Sequence, residues 1–207
     1  MREIMIKIMF FGDSVCTGQY VSIHKGWVTN VSRMFDGQAV VLNSSVNGRT
    51  TRQALEEMPY HIQEQKPDIL IVQFGMNDCN YWKSDKGTPR VSPKAFGANL
   101  EEIIERAYAC GTKSVLLNTN HPTCLSKDKL PHTSITYEDS NKEYNKIIRK
   151  VAKRNPVVFN DIERGFRNYK KNISGLLLPD LLHPNEHGHN LYFNIIYPVI
   201  NEEIKKT

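Results

Sequence analysis

Two kinds of apolar stretch alternate along the chain: short, nearly unbroken runs, and longer segments in which apolar residues recur every three to four positions. The short runs span residues 4–11, 38–42, 69–74, 113–118 and 156–159. They are rich in isoleucine, valine, leucine and aromatics and read as strands buried on both faces, the pattern of a parallel sheet. The longer segments predict helices over 24–35, 93–109, 137–154 and 186–204, with a further helix through Leu55 and Met58 opened by Thr50 or Thr51. Gly111 stops the second of these. Strands alternating with helices predict an α/β protein, a three-layer α/β/α sandwich around a five-stranded parallel sheet wound as in flavodoxins. No repeat, linker or low-complexity segment interrupts the pattern, so one domain over residues 1–207 is expected.

The polar residues gather where the predicted strands end. The first strand closes on Gly12-Asp13-Ser14, the second is followed by a turn-rich stretch with Asn47-Gly48, and the third ends at Gly75-Met76-Asn77-Asp78. Asn120-His121-Pro122 follows the fourth, and Asp180 and His183 stand just before the last helix. In open α/β sheets, ligands and chemistry collect in the crevice outside the carboxyl ends of the strands. Ser14 is therefore a candidate nucleophile. A serine hydroxyl is a weak nucleophile at neutral pH and needs a base within hydrogen-bond reach, itself oriented by a third group. Asp180 and His183 are three residues apart, a spacing at which a tight turn brings carboxylate and imidazole together. Taken singly, each stretch is also ordinary turn or helix-capping chemistry.

Taken in order, Gly-Asp-Ser-Val, Gly48, Asn77 and the Asp180/His183 pair resemble the blocks of the SGNH hydrolases, also called the GDSL esterase and lipase family, over nearly the whole chain. Valine stands where the family name has leucine, at an apolar packing position. The resemblance implies the SGNH hydrolase fold, Ser14 as nucleophile, His183 as base and Asp180 as its partner. It also implies an oxyanion hole made by the backbone N–H groups of Ser14 and Gly48 and the side-chain amide of Asn77, with no metal and no cofactor. The implied reaction is ester hydrolysis through an acyl-enzyme. A small acyl group, such as acetyl on a carbohydrate, is the favoured substrate, because no long apolar segment suggests a lipid tunnel. Lysophospholipid or thioester hydrolysis and acyl transfer remain open alternatives, as does a non-catalytic flavodoxin-like binding protein. Asp13, Tyr81, Trp82 and His121 are the candidate substrate contacts, with Pro122 and Leu125 in the walls.

Composition narrows the classes further. The 207 residues are 40% hydrophobic and 24% charged, as in globular proteins that bury a substantial core. The net charge of +5 is spread along the chain without a basic, aromatic-interleaved run, so a nucleic-acid partner is not expected. The first apolar run carries Lys7 and meets a Gly-Asp turn, which predicts neither a secretion signal nor a membrane span, no stable membrane association and a cytoplasmic protein. Cys16, Cys79, Cys110 and Cys124 are widely spaced and suggest neither a zinc site nor a disulfide framework. Cys16 is read as a packed thiol and not a nucleophile, and the His183, His187 and His189 cluster lacks acidic or cysteine partners for a metal.

Overall fold

The structure, a computed structural model, describes residues 5–207. Ile4, which opens the first predicted strand, lies outside the described residues. The chain runs β1 (Ile6–Gly12), α1 (Ser14–Thr17), α2 (Trp27–Met34), β2 (Ala39–Asn43), α3 (Thr51–Met58), β3 (Ile69–Gln73), α4 (Pro93–Ala109), β4 (Ser114–Asn118), α5 (Tyr137–Arg154), β5 (Val158–Asn160), α6 (Ile162–Arg167) and α7 (Glu186–Lys206). All strand pairs are parallel, in the order β2-β1-β3-β4-β5. This is the five-stranded, helix-flanked sheet that the alternation of patterns predicts.

Residues on successive strand positions face opposite layers. Phe10 meets the Trp27 ring of α2 edge-on at 5.1 Å, and Trp27 stacks on Tyr192 of α7 at 5.3 Å. Phe11, one position on, faces the other layer and meets Phe74 edge-on at 5.3 Å. Helices α2, α6 and α7 pack together on one side, and α3, α4 and α5 on the other. Every residue of β3 and β4 is buried, whereas in the edge strand β2 only Ala39 is.

Several boundaries differ from the predicted ones for local reasons. The helix predicted from residue 24 begins at Trp27, because a 3-10 turn (Ile23–Lys25) and Gly26 precede it. Thr50 is the cap of α3, in a reciprocal capping box with Gln53. That helix continues into a π-helical turn over Pro59–Gln63. Two helices, α1 and α6, are too short to leave a periodic signature and were not predicted.

The chain leaves β1 towards β2 on one side and then crosses to β3 on the other. Between β1 and β3 the connections depart in opposite directions, opening a crevice at the strands' carboxyl ends. Ser14 directly follows β1, and Asn77 follows β3. Gly12 is fixed at this point by space: a Cβ there would lie 2.7 Å from both Cys16 Sγ and the Gln73 carbonyl of β3. No helix among the described residues is long and apolar enough to cross a membrane, and no group of three or more His, Cys, Asp or Glu among them could hold a metal ion.

Candidate active site

Four chain segments converge on the crevice. After β1, the Asp13 carboxylate accepts the Val15 N–H at 3.0 Å and opens the single turn of α1. Gly18, at φ +71°, closes that turn, while the Trp27 indole N–H donates to Val15 O at 2.8 Å and anchors it to α2. Ser14 is thereby held at the first helical position, 5% exposed, with its hydroxyl towards the crevice.

The histidine comes from the stretch before α7. Leu177 and Pro184 form an isolated antiparallel bridge, and Leu178 N–H donates to His183 O at 2.8 Å, so residues 178–183 form a tight loop. Asp180 Oδ1 accepts the backbone N–H groups of Leu182 at 3.0 Å and His183 at 2.9 Å. Its Oδ2 lies 2.6 Å from His183 Nδ1, and His183 Nε2 lies 3.0 Å from Ser14 Oγ. Burial works to raise the Asp180 carboxyl, but the Leu182 N–H and the bonds to His183 outweigh it and hold it below the ordinary carboxylate value. An ionised Asp180 fixes the proton on Nδ1 and leaves Nε2 as an acceptor facing the serine hydroxyl.

The other two segments bring hydrogen-bond donors. The stretch after β2 is pinned to β1 by Ser44 N–H to Phe10 O at 2.9 Å and Val46 N–H to Gly12 O at 3.2 Å. Arg49 is buried over the Phe11 ring and bonds Ser44 O and the Glu57 carboxylate. Between these anchors Gly48 adopts φ +78°, a conformation that glycine holds without strain. Among the described residues, the backbone N–H groups of Ser14 and Gly48 make no hydrogen bond to the protein. Asn77 follows β3, and its Nδ2 donates to Asp13 Oδ2 at 3.3 Å. Asp78, beside it, accepts the Thr51 N–H at 2.9 Å and the Thr51 hydroxyl, tying this turn to α3.

Two buried carboxyls thus lie under the crevice. Burial pushes Asp13 up to about 7, against the Val15 N–H and aided by the charge of Asp78. Burial likewise pushes Asp78 up to about 6, against its bonds from Thr51.

The structure brings Ser14, Gly48, Asn77 and His183 to one cleft of about 360 Å³, also lined by Gln19, Asn47, Met76, Asn80, Tyr137 and Leu182. Asp180 stands behind His183. The four residues expected to touch substrate lie elsewhere. Asp13 is fully buried, spent on the α1 cap and on Asn77. His121 is fully buried too, with one ring nitrogen 2.7 Å from the Tyr192 hydroxyl and the other 2.7 Å from Leu182 O, so it props the histidine loop from behind. Burial pushes its pKa down to about 4, leaving the ring neutral. Tyr81 lines a separate cavity of about 570 Å³ with Pro93 and Tyr144. Trp82 stacks on the Arg90 guanidinium, 4.3 Å from ring to carbon, in another cleft with Arg52 and Thr88. Bonds from Arg90 N–H to Asn80 O and from Val91 N–H to Asp78 O fold the 79–92 insert back, and neither ring lines the Ser14 cleft. Pro122 is buried, and Leu125 packs against the core. Cys16 is buried, and that burial raises its thiol well above the ordinary value.

Tyr20 went unnoticed in the sequence. It sits at φ +69°, 70% exposed, with its ring edge-on to His183 at 5.3 Å. A bulky residue in the left-handed region is uncommon, and φ cannot be read from a sequence.

Comparison with known proteins agrees with this fold. The arylesterase of Vibrio mimicus is 28% identical over 124 residues, which cover 58% of this chain and 58% of that protein, so the chain matches little more than half of that relative's length. The acetylxylan esterase of Geobacillus stearothermophilus is 23% identical over 204 residues, 88% of each chain. A crystal structure of the lipase/acylhydrolase from Enterococcus faecalis superimposes with a TM-score of 0.79 at 24% identity, over 96% of both chains. The pattern of the GDSL-like lipase/acylhydrolase family matches residues 10–191, which takes in every segment of the crevice, and the chain belongs to that family.

Proposed function

We propose that the protein is a serine ester hydrolase that works through an acyl-enzyme at Ser14. The observation that carries this reading is the line of contacts from Asp180 Oδ2 to His183 Nδ1 at 2.6 Å and from His183 Nε2 to Ser14 Oγ at 3.0 Å, at the mouth of a cleft with unpaired N–H donors. Ser14 Oγ attacks the acyl carbonyl carbon while His183 Nε2 takes its proton. The carbonyl oxygen becomes an oxyanion, held by the N–H groups of Ser14 and Gly48 and by Asn77 Nδ2. His183 passes the proton to the alcohol oxygen as the ester C–O bond breaks. Water, deprotonated by His183, then attacks the acyl-enzyme, and the acid leaves with the proton returned to Ser14. Each step needs His183 alternately as base and acid, and Asp180 steadies the cationic form.

The substrate reading is a small acyl ester, with O-acetyl groups of a carbohydrate favoured. The cleft is small and, besides Asn77, its lining carries three further carboxamides, Gln19, Asn47 and Asn80, suited to hydroxyl groups; its apolar lining is confined to Met76, Leu182 and the Tyr137 ring. The acetylxylan esterase relative lends this reading further support. The proposed compartment is the cytoplasm, which suits the four free cysteines.

The test is hydrolysis of p-nitrophenyl esters from acetate to palmitate, beside release of acetate from acetylated xylooligosaccharides and of fatty acid from a lysophospholipid and an acyl thioester. The expected result is activity that falls as the acyl chain lengthens and is abolished in Ser14→Ala. Faster release of long-chain acid than of acetate overturns the substrate reading, and wild-type activity in Ser14→Ala overturns the serine mechanism.

A further inference from the structure

We propose that Arg90 is a positioning residue of the oxyanion site, setting Gly48 and Asn77 from a single guanidinium nitrogen. This rests on the hydrolase reading above. Arg90 Nη1 donates to Gly48 O at 3.0 Å and to Asn77 Oδ1 at 3.3 Å. That nitrogen carries two hydrogens, so each acceptor takes one without competition. The two acceptors belong to loops that follow different strands, β2 and β3, and their only common partner in these contacts is Arg90.

The bond to Asn77 decides which way its amide faces. With Oδ1 turned to a guanidinium that can only donate, Nδ2 must point away from it. One Nδ2 hydrogen goes to Asp13 Oδ2 at 3.3 Å, and the other is left for the cleft. Asp13 alone is a weak guide: its carboxyl is pushed up to about 7, and although the ionised form can only accept, the protonated form carries an O–H that can donate to a flipped amide. A guanidinium has no such second state. At Gly48 the argument is geometric. Nothing lies within 4 Å of a Cβ built there, so side-chain packing does not hold the residue; the Gly48–Arg49 peptide is held on one edge by Arg49 N–H to Val46 O at 3.2 Å and on the other by the Arg90 bond to its carbonyl.

The chemistry of the pair suits arginine. Its guanidinium lies over the Trp82 ring at 4.3 Å, and Asp78 and Asp85 act on it only through charge, without a direct bond. Arg90 thus offers its donors to two neutral oxygens beside the place where an ester carbonyl would gain negative charge. A planar, stacked group with fixed donor directions performs this in a way that a flexible ammonium does not.

The test is a double-mutant cycle on p-nitrophenyl acetate, with Arg90→Gln, Arg90→Lys and Asn77→Ala, alone and combined, each checked by its melting curve. Loss of one oxyanion donor lowers kcat about 100- to 1,000-fold, so Arg90→Gln is expected to lose about 100-fold in kcat with KM within about twofold. Arg90→Lys, which keeps a donor, recovers part of that loss. In the Asn77→Ala background the same Arg90→Gln change costs about tenfold less than in the wild type, because the amide it orients is gone and only its hold on Gly48 remains. Equal losses in both backgrounds, or a risen KM with kcat unchanged, overturn the proposal. If Arg90→Gln does not fold, the cycle with Arg90→Lys decides by the same criterion. An active wild type with kcat unmoved in the Arg90 variants overturns this inference alone, whereas a wild type with no Ser14-dependent activity overturns the hydrolase reading and this inference with it.

Discussion

Replacing Asp180 by asparagine changes almost no volume, yet the surrounding bonds make it a severe test of the histidine's role. The backbone N–H groups of Leu182 and His183 point at Asp180 Oδ1 at 3.0 and 2.9 Å, so the asparagine carbonyl must stay there. Its NH2 group then replaces Oδ2 and faces His183 Nδ1, which must become an acceptor. The ring proton moves to Nε2, aimed at Ser14 Oγ, and the ring can no longer take the serine proton. Reversing the amide would break two hydrogen bonds and set donor against donor, about 2–3 kcal/mol in all, which leaves roughly 1% of the productive form. The charge-assisted bond to the imidazolium is lost as well, worth about 1.5–3 kcal/mol in general. Because the Asp180 side chain is 38% exposed, the lower end applies, another factor of about ten. The expected loss in kcat/KM for p-nitrophenyl acetate is therefore about 1,000-fold, with a melting temperature close to wild type. A folded Asp180→Asn protein that keeps more than about a tenth of the activity would refute this use of Asp180.

Two further predictions concern the supports beneath the site. His121→Phe strips partners from the buried Tyr192 hydroxyl and Leu182 O, at about 1–3 kcal/mol for each orphaned group, so urea unfolding should show a loss of about 2–5 kcal/mol. The same variant should lose part of the acid-side instability: His121 is pushed down to about 4 in the folded protein, so wild-type stability is full above about 6.5 and falls as pH drops towards 4. A variant as stable as wild type, with the same acid slope, refutes the propping role. Asp78 gives the opposite slope. Its carboxyl is raised from 3.8 to about 6, so its contribution is intact below pH 3.8 and is lost as pH rises through 6. Asp78→Asn should gain on wild type between pH 4 and 7, by at most about 3 kcal/mol, and an advantage that shrinks with pH contradicts the assignment.

Much of the architecture was legible because the sheet is buried on both faces. Ile69 to Val72 and Val115 to Leu117 are fully buried, and an unbroken apolar run records that directly. The site residues were legible for a related reason: a parallel sheet sends its strand ends to one edge, so Ser14 and Asn77 could be placed without knowing any contact. Side-chain direction was not legible. His121 sits at a strand end like the others, but its partners are 61 and 71 residues away and claim both ring nitrogens. Tyr81 and Trp82 look like cleft walls until the 79–92 insert folds back on Asp78 and Asn80. Helix α6, with six residues, has only Ile162 and Phe166 as buried apolar residues, one i, i+4 pair too short to register as a stripe, and the pairing of Glu163 with Arg149 of α5 and with Arg167 adds a polar hold that no periodicity records. Arg90 looks like any charge in a polar insert, and only the closeness of Gly48 and Asn77 gives it a role.

The central claim is that Ser14 is the nucleophile and that His183 activates it. The most direct measurement is covalent trapping: incubation with a fluorophosphonate, intact mass, and peptide mapping of the adduct. The account predicts one adduct per chain, on the Ser14 hydroxyl, absent in Ser14→Ala and formed about 1,000-fold or more slowly in His183→Ala. An adduct on another residue, or one that forms equally fast without His183, would contradict it.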